Sequence, residues 1–226
     1  MKKLLAAAAA LALFMGPAKA DVITGTLNLP DLALVGFQSA LDDTFTINRT
    51  DNTHATITIN AVSNAGLDFL FLGAGGLALN VNATGFSASV PIFTQLSGVG
   101  FQAPSVQSVG SGQVNGFGQF DYVLNLFNGY DHAVSSISVQ LTDLSGTWAT
   151  AADVLTTVGN GDGLEIAAHI GVCVAPCTQA EGAVVTGFVS ATLFQTEVPE
   201  PSTLALFGVG LLFLGMFLRG INRYPV

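Results

Sequence analysis

The chain has 226 residues, half of them hydrophobic and only 9% charged, and six Lys and Arg against fifteen Asp and Glu give a net charge of −9. So much apolar mass beside so few charges excludes a charged disordered chain and a coiled coil, and the acidic balance excludes a nucleic-acid-binding surface. The length suits one domain or two small ones, and the 26 glycines point to a turn-rich β-protein.

At the N-terminus, Lys2 and Lys3 give a positive start, Leu4 to Met15 an uncharged apolar run, and Ala18-Lys19-Ala20 a small-x-small cleavage pattern. This reads as a secretory signal peptide over residues 1–20, recognised by signal peptidase at Ala18 and Ala20, with the mature chain beginning at Asp21. The 12-residue apolar run would span about 18 Å as a helix, short of a ~30 Å hydrocarbon core, which argues against a permanent membrane helix.

Residues 21–197 form the body. They hold fourteen acids and one basic residue, Arg49, for a formal charge of −13. Such a surface repels nucleic acid, anionic lipid and, unless divalent ions bridge the two, strongly anionic polysaccharide. The pattern here has period two. Thr44-Phe45-Thr46-Ile47-Asn48 alternates polar with apolar, and after Thr50-Asp51-Asn52-Thr53 the alternation resumes in Ala55-Thr56-Ile57-Thr58-Ile59-Asn60, a hairpin with one wet and one buried face. Further strands are predicted at Val22–Asn28, Leu67–Leu72, Leu77–Asn82, Gly118–Phe127, Ser136–Leu141, Gly163–Val172 and Val184–Phe194, separated by Gly, Asn, Asp and Ser clusters. Without a repeated helical pattern between them, they predict an all-β fold, an antiparallel β-sandwich of jelly-roll type. Trp148 to Val158 predicts a short helix over a sheet end. Phe117, Phe120 and Tyr122 stand at spacings expected of aromatics filling a core beside a glycine bend.

Candidate chemistry in the body is sparse. Cys173 and Cys177 are the only cysteines, and export to an oxidising compartment predicts a structural disulfide between them, the C-x3-C spacing not being that of redox enzymes. His169 precedes them by four residues and completes an evenly spaced His-Cys-Cys series. Gly171 and Pro176 oppose the helix that would align the three on zinc, and no fourth ligand is obvious, so no metal is expected. Asn160, Asp162 and Glu165 offer three oxygens in one glycine-rich turn, fewer than calcium takes. Structural roles are expected for His54 at a hairpin start, His132 in a loop beside Asp131 and His169 in a strand. Ser111, in Gly110-Ser-Gly112, is read as lying in a flexible loop, not at a nucleophile elbow, and that glycine pair lacks the third glycine and the helix of a dinucleotide loop. Asn48-Arg-Thr50 and Asn82-Ala-Thr84 match glycan acceptor sequons of a length common by chance. No catalytic constellation and no cofactor site is expected.

The C-terminal end carries the sharpest signal. Pro201 to Leu218 are 18 uncharged residues, and ten of the last fifteen are Leu, Phe or Val. As a helix they span about 27 Å, enough to cross a bilayer, predicting a transmembrane helix over about residues 202–218. Arg219 and Arg223 follow and set the tail in the cytoplasm with the body outside. Polar flanks on both sides argue against a buried core helix. Just before the span stands Val198-Pro199-Glu200-Pro201. Prolines on both sides of one carboxylate keep the backbone extended and remove donors, so the segment cannot join a sheet or start a helix early.

Pro-Glu-Pro, apolar span and basic end, in that order over residues 198–226, resemble the PEP-CTERM sorting signal. The resemblance implies recognition of Pro199, Glu200 and Pro201 by an exosortase, a membrane-embedded cysteine transpeptidase-like enzyme. It also implies transient retention in the inner membrane and an association with exopolysaccharide in biofilm-forming Gram-negative bacteria. Gly116-Phe-Gly-Gln-Phe-Asp121, Ala167-Ala-His-Ile170 and Thr186-Gly-Phe-Val189 are loosely similar to many PEP-CTERM ectodomains, a likeness that carries no activity. The expectation is a secreted, exosortase-sorted protein of the cell surface or biofilm matrix, without catalysis. A carbohydrate-binding module is the alternative, although Trp148 and three tyrosines would make only a small aromatic platform. A hydrolase built on acids such as Asp121 and Asp131 is the third.

Overall fold

The alternation between Asp43 and Asn60 folds as a hairpin whose inner residues are Phe45, Ile47, Ala55, Ile57 and Ile59, each at most 2% exposed, while Thr46, Thr58 and Thr56 face partly outward. Period-two patterning admits only one register that keeps every apolar residue on the core side. Ile47 accordingly lies opposite Ile57, and Phe45 opposite Ile59.

The computed structural model describes residues 21–96, 100–127, 129–157 and 165–191. All belong to the first of two units into which the chain divides, residues 1–193, and the second, 194–226, lies outside the described residues. In chain order the strands are β1 (Asp21–Leu27), β2 (Leu29–Pro30), β3 (Asp43–Arg49), β4 (His54–Asn60), β5 (Ser63–Asn64), β6 (Leu67–Phe71) and β7 (Leu77–Leu79). They continue with β8 (Phe86–Ala88), β9 (Ile92–Gln95), β10 (Val106–Val114), β11 (Gly118–Leu126), β12 (Val134–Asp143), β13 (Ile166–Val174) and β14 (Val185–Ala191). Every described strand pairing is antiparallel. The fold is all-β.

The strands join in one continuous hydrogen-bonded sheet ordered β1-β3-β4-β12-β6-β13-β7-β11-β10. β14 pairs with β13 and β2, β5 with β6, and β8 and β9 with β12. Inward residues of β3, β4, β6, β7, β11, β12 and β13 meet in a single core, among them Phe69, Phe71, Leu79, Leu124, Ile137, Leu141 and Ile170. Fully burying each such side chain stabilises by about 1.5–3 kcal/mol. A second apolar cluster of Val114, Phe117, Phe120, Val123, Ala78 and Ala167 is backed by Phe188. A bulge explains why Phe120 and Tyr122, two residues apart, join different clusters. Between Gly110 and Gly112 the β11 partner moves from Val123 to Phe120, so β11 carries one extra residue and its side-chain alternation reverses there.

The predicted helix over Trp148 to Val158 is not found. Its described part holds one 3-10 turn, Ala151–Asp153, closed by a capping box: the Thr150 N–H donates to Asp153 Oδ2 at 2.8 Å and the two side chains also bond. The chain then extends, and Leu155 forms a bridge with Val81. The apolar content of the segment serves the core, since Trp148, Ala151, Val154 and Leu155 are all buried. The strands at β2, β5, β8, β9 and β10 are additions to the sequence expectation.

Candidate functional site

Ala18, Ala20, Pro199, Glu200, Pro201, Arg219, Arg223 and the apolar span at residues 202–218 lie outside the described residues. Among the described residues no helix is long and apolar enough to cross a membrane. What the structure does show is how the expected mature N-terminus is held. β1 starts at Asp21 itself, opposite Arg49 in the ladder. Arg49 Nε donates to Asp21 Oδ1 at 3.1 Å, and Arg49 Nη1 donates to the Trp148 carbonyl at 3.4 Å. The guanidinium side chain is 7% exposed and the Asp21 side chain 32%. The single cation of the body thus sits inside the fold, tying the first strand to the loop that carries the only tryptophan.

Cys173 and Cys177 form the disulfide, with Cα atoms 5.6 Å apart. Cys173 lies near the end of β13, opposite Asp68 of β6, and Asp68 binds the Cys177 N–H at 3.3 Å and the Ser63 hydroxyl. Asp68, Cys173 and Cys177 are the one group among the described residues close enough to hold a metal ion, but the disulfide removes both thiolates. His169 does not join it. Four residues along an extended strand is about 13 Å, and its ring instead stacks on Phe188 with centroids 4.5 Å apart.

The three histidines have separate settings. His54 opens β4, and its Nδ1 lies 2.9 Å from Asp51 and 3.0 Å from Thr53 Oγ1. The Thr53 N–H, the His54 ring and the Thr53 hydroxyl hold the Asp51 carboxyl well below the usual carboxylate range. Acid and hydroxyl meet the same ring nitrogen, whereas a nucleophilic relay needs them on opposite ones. His132 Nδ1 donates to the Ala103 carbonyl at 2.9 Å, and its Nε2 stands 3.8 Å from Asp131. Burial pushes the His169 ring toward its neutral form, opposed by a backbone hydrogen bond at Ala74 and by Asp31.

Ser111 corrects the sequence reading. It lies in strand β10, not in a loop; the Gly- and Ser-rich run lacks alternation but is held by its ladder to β11. Asn160 and Asp162 lie outside the described residues, and Glu165 precedes β13, its carbonyl accepting from the Asn80 N–H at 3.0 Å. Trp148, 1% exposed, has its indole N–H on the Asn82 carbonyl at 2.9 Å, which removes it from any sugar-stacking platform. Asp121 accepts from the Val81 N–H at 3.2 Å, and Asp131 from the Gln102 amide at 2.8 Å.

Two acids that the sequence reading passed over are structural anchors. Asp31 accepts the N–H groups of Ala33 and Leu34 through Oδ1, at 3.0 and 3.2 Å, and that of Phe188 through Oδ2 at 2.9 Å. The Asp followed by Leu-Ala-Leu was a signal for this turn, since an Asp carboxylate caps backbone donors two and three residues on. Asp43, fully buried, accepts from the Val62 N–H at 2.9 Å, and its Oδ2 has no partner among the described residues. Burial, with a further push from Asp42, raises its carboxyl to about 8 against the Val62 hydrogen bond.

No curated protein and no solved structure matches the chain. The family model of the PEP-CTERM protein-sorting motif matches residues 197–220, spanning the Pro-Glu-Pro triplet, the apolar run and Arg219. The chain is therefore one that carries a PEP-CTERM protein-sorting motif near its C-terminus.

Proposed function

We propose that this is an exported protein, sorted by an exosortase to the cell surface or extracellular matrix, whose body has a structural and non-catalytic role in the envelope or biofilm. The observation that carries the reading is the PEP-CTERM match at residues 197–220. In this reading the signal peptide over residues 1–20 directs export and the span at residues 202–218 parks the chain in the inner membrane. Exosortase then reads Pro199, Glu200 and Pro201. The body, its sheet closed around one core as a sandwich, is delivered outside. Supporting this, the only metal-capable group among the described residues is consumed by a disulfide, a bond suited to an oxidising compartment.

The test compares cells with and without exosortase, fractionating them and measuring the mass of the mature protein. Processing predicts a chain shortened at its C-terminal end and released from the inner membrane only where exosortase is present. Glu200→Ala is expected to stay lodged in the inner membrane. Identical size and location in both strains would refute the reading.

A further inference from the structure

Fourteen acids burden the body with negative charge, yet between Asp68 and Asp121 no charged residue occurs. That neutral run contains β10, Val-Gln-Ser-Val-Gly-Ser-Gly-Gln-Val, which ends the sheet and, among the described residues, pairs with β11 alone. Its residues are exposed from Val106 to Ser111 and again at Gln113.

Exposed edges invite pairing with another chain, and proteins blunt them with short strands, prolines, charges or covers. Four other described edge strands are blunted. β2 has two residues and ends in Pro30; β8 and β9 have three and four, with Pro91 between them. β1 carries Asp21 and lies against β14 and the Ala151–Asp153 turn. β10 has nine residues, no proline and no charge. Its bulge falls at the start, between Val106 and Ser108, while the irregularity at Gly110/Gly112 places the extra residue in β11. The backbone of β10 is therefore regular from Ser108 to Val114.

Gly110 is the middle residue of the nine in β10. Within the regular stretch a two-fold axis there sets Ser108 opposite Gly112, Val109 opposite Ser111 and Gly110 opposite itself, all uncharged and none of them proline. A Cβ built on Gly110 meets nothing within 4 Å. The acid on the neighbouring strand, Asp121, is turned to the Val81 N–H. We propose that β10 is a homotypic interaction surface, pairing antiparallel with β10 of a second copy of this chain across a two-fold axis at Gly110. The occupant is a second copy because β10 is a long edge without charge or proline, and pairing with its own copy across a two-fold axis satisfies both free edges at once. A neutral edge is also where two strongly acidic bodies repel each other least.

The test uses purified full-length chain in detergent carrying Gly110→Cys, oxidised with copper phenanthroline and resolved without reductant. Antiparallel pairing brings the two Cα110 atoms to about 4.5–5.5 Å, within disulfide reach. A linked dimer is expected in about ten-fold excess over Leu144→Cys, an exposed position elsewhere. Ser108→Cys, whose counterpart lies about four residues away along the strand, roughly 14 Å, is expected to match the control. Adding Ser111→Lys to Gly110→Cys is expected to lower the linked fraction about five-fold by placing like charges across the axis. Gly110→Cys at the control level, Ser108→Cys linking as well as Gly110→Cys, or indifference to Ser111→Lys would each overturn the proposal.

Discussion

Arg49 on β3 and Asp21 on β1 face each other across the sheet at 3.1 Å, so the body's one cation clasps the residue at which the mature chain is expected to begin. Removing Arg49 leaves the Trp148 carbonyl without that donor and Asp21 without its counter-charge. Arg49→Met is expected to cost about 2–3 kcal/mol, most of it for buried groups left unpaired. Asp21→Asn, at a partly solvated position, is expected to cost about 1 kcal/mol or less. Urea denaturation of the two variants checks the ranking.

Asp43 sets an alkaline dependence. Its carboxyl, pushed up to about 8 in the fold, ionises near the ordinary carboxylate value once unfolded. The folded state binds more protons between those values. This residue's contribution is fully present below the unfolded value and is lost as pH rises toward and through 8. Asp43→Asn keeps an oxygen for the Val62 N–H and has no charge to bury. It is expected to flatten the fall in melting temperature between pH 5 and 9. An unchanged pH profile would contradict the assignment.

Asp31 and Gly187 form a matched pair. A Cβ at Gly187 would fall 2.7 Å from Asp31 Oδ1 and from Leu34 Cγ, so Gly187→Ala is expected to destabilise by about 1–3 kcal/mol through overpacking. Asp31→Ala strips the Ala33 and Phe188 N–H groups of their side-chain acceptor and leaves that of Leu34 only the Asp31 carbonyl, and is expected to cost about 1–3 kcal/mol. The double variant should lose less than the sum, because the clash and the clamp share one oxygen. Calorimetry of the set decides.

The disulfide closes a ring of five residues. On the loop-entropy formula it stabilises by about 2 kcal/mol, which predicts a matching loss for the Cys173→Ala/Cys177→Ala pair and for the reduced wild type. Zinc added to the reduced protein is expected to restore none of it, since Asp68 and two thiolates supply three of the four ligands a structural site takes.

How far the sequence foretold the fold follows the strength of its patterns. The hairpin from Thr44 to Asn60 was legible to within a residue or two because strict alternation leaves no second solution. β10 was not, since Gly110, Ser111 and Gly112 look like loop and only the partner strand makes them sheet. Trp148 to Leu155 looked helical because apolar density alone does not separate a helix from an irregular segment packed on a core. Asp43 was invisible as a buried acid, since in the sequence it continues the Leu41-Asp42 approach to a polar-apolar alternation. The sorting segment was the most legible part of all, because a short linear motif is read from its residues in order and not from tertiary packing.

β13 is bonded along both edges over its length, to β14 on one side and to β6 and β7 on the other. It also bridges both apolar clusters, through Ile166, Ala168, Ile170 and Val172 on one side and Ala167 on the other. Its amide protons should be the slowest in the molecule to exchange with deuterated water, setting a ceiling for the opening free energy of every other segment.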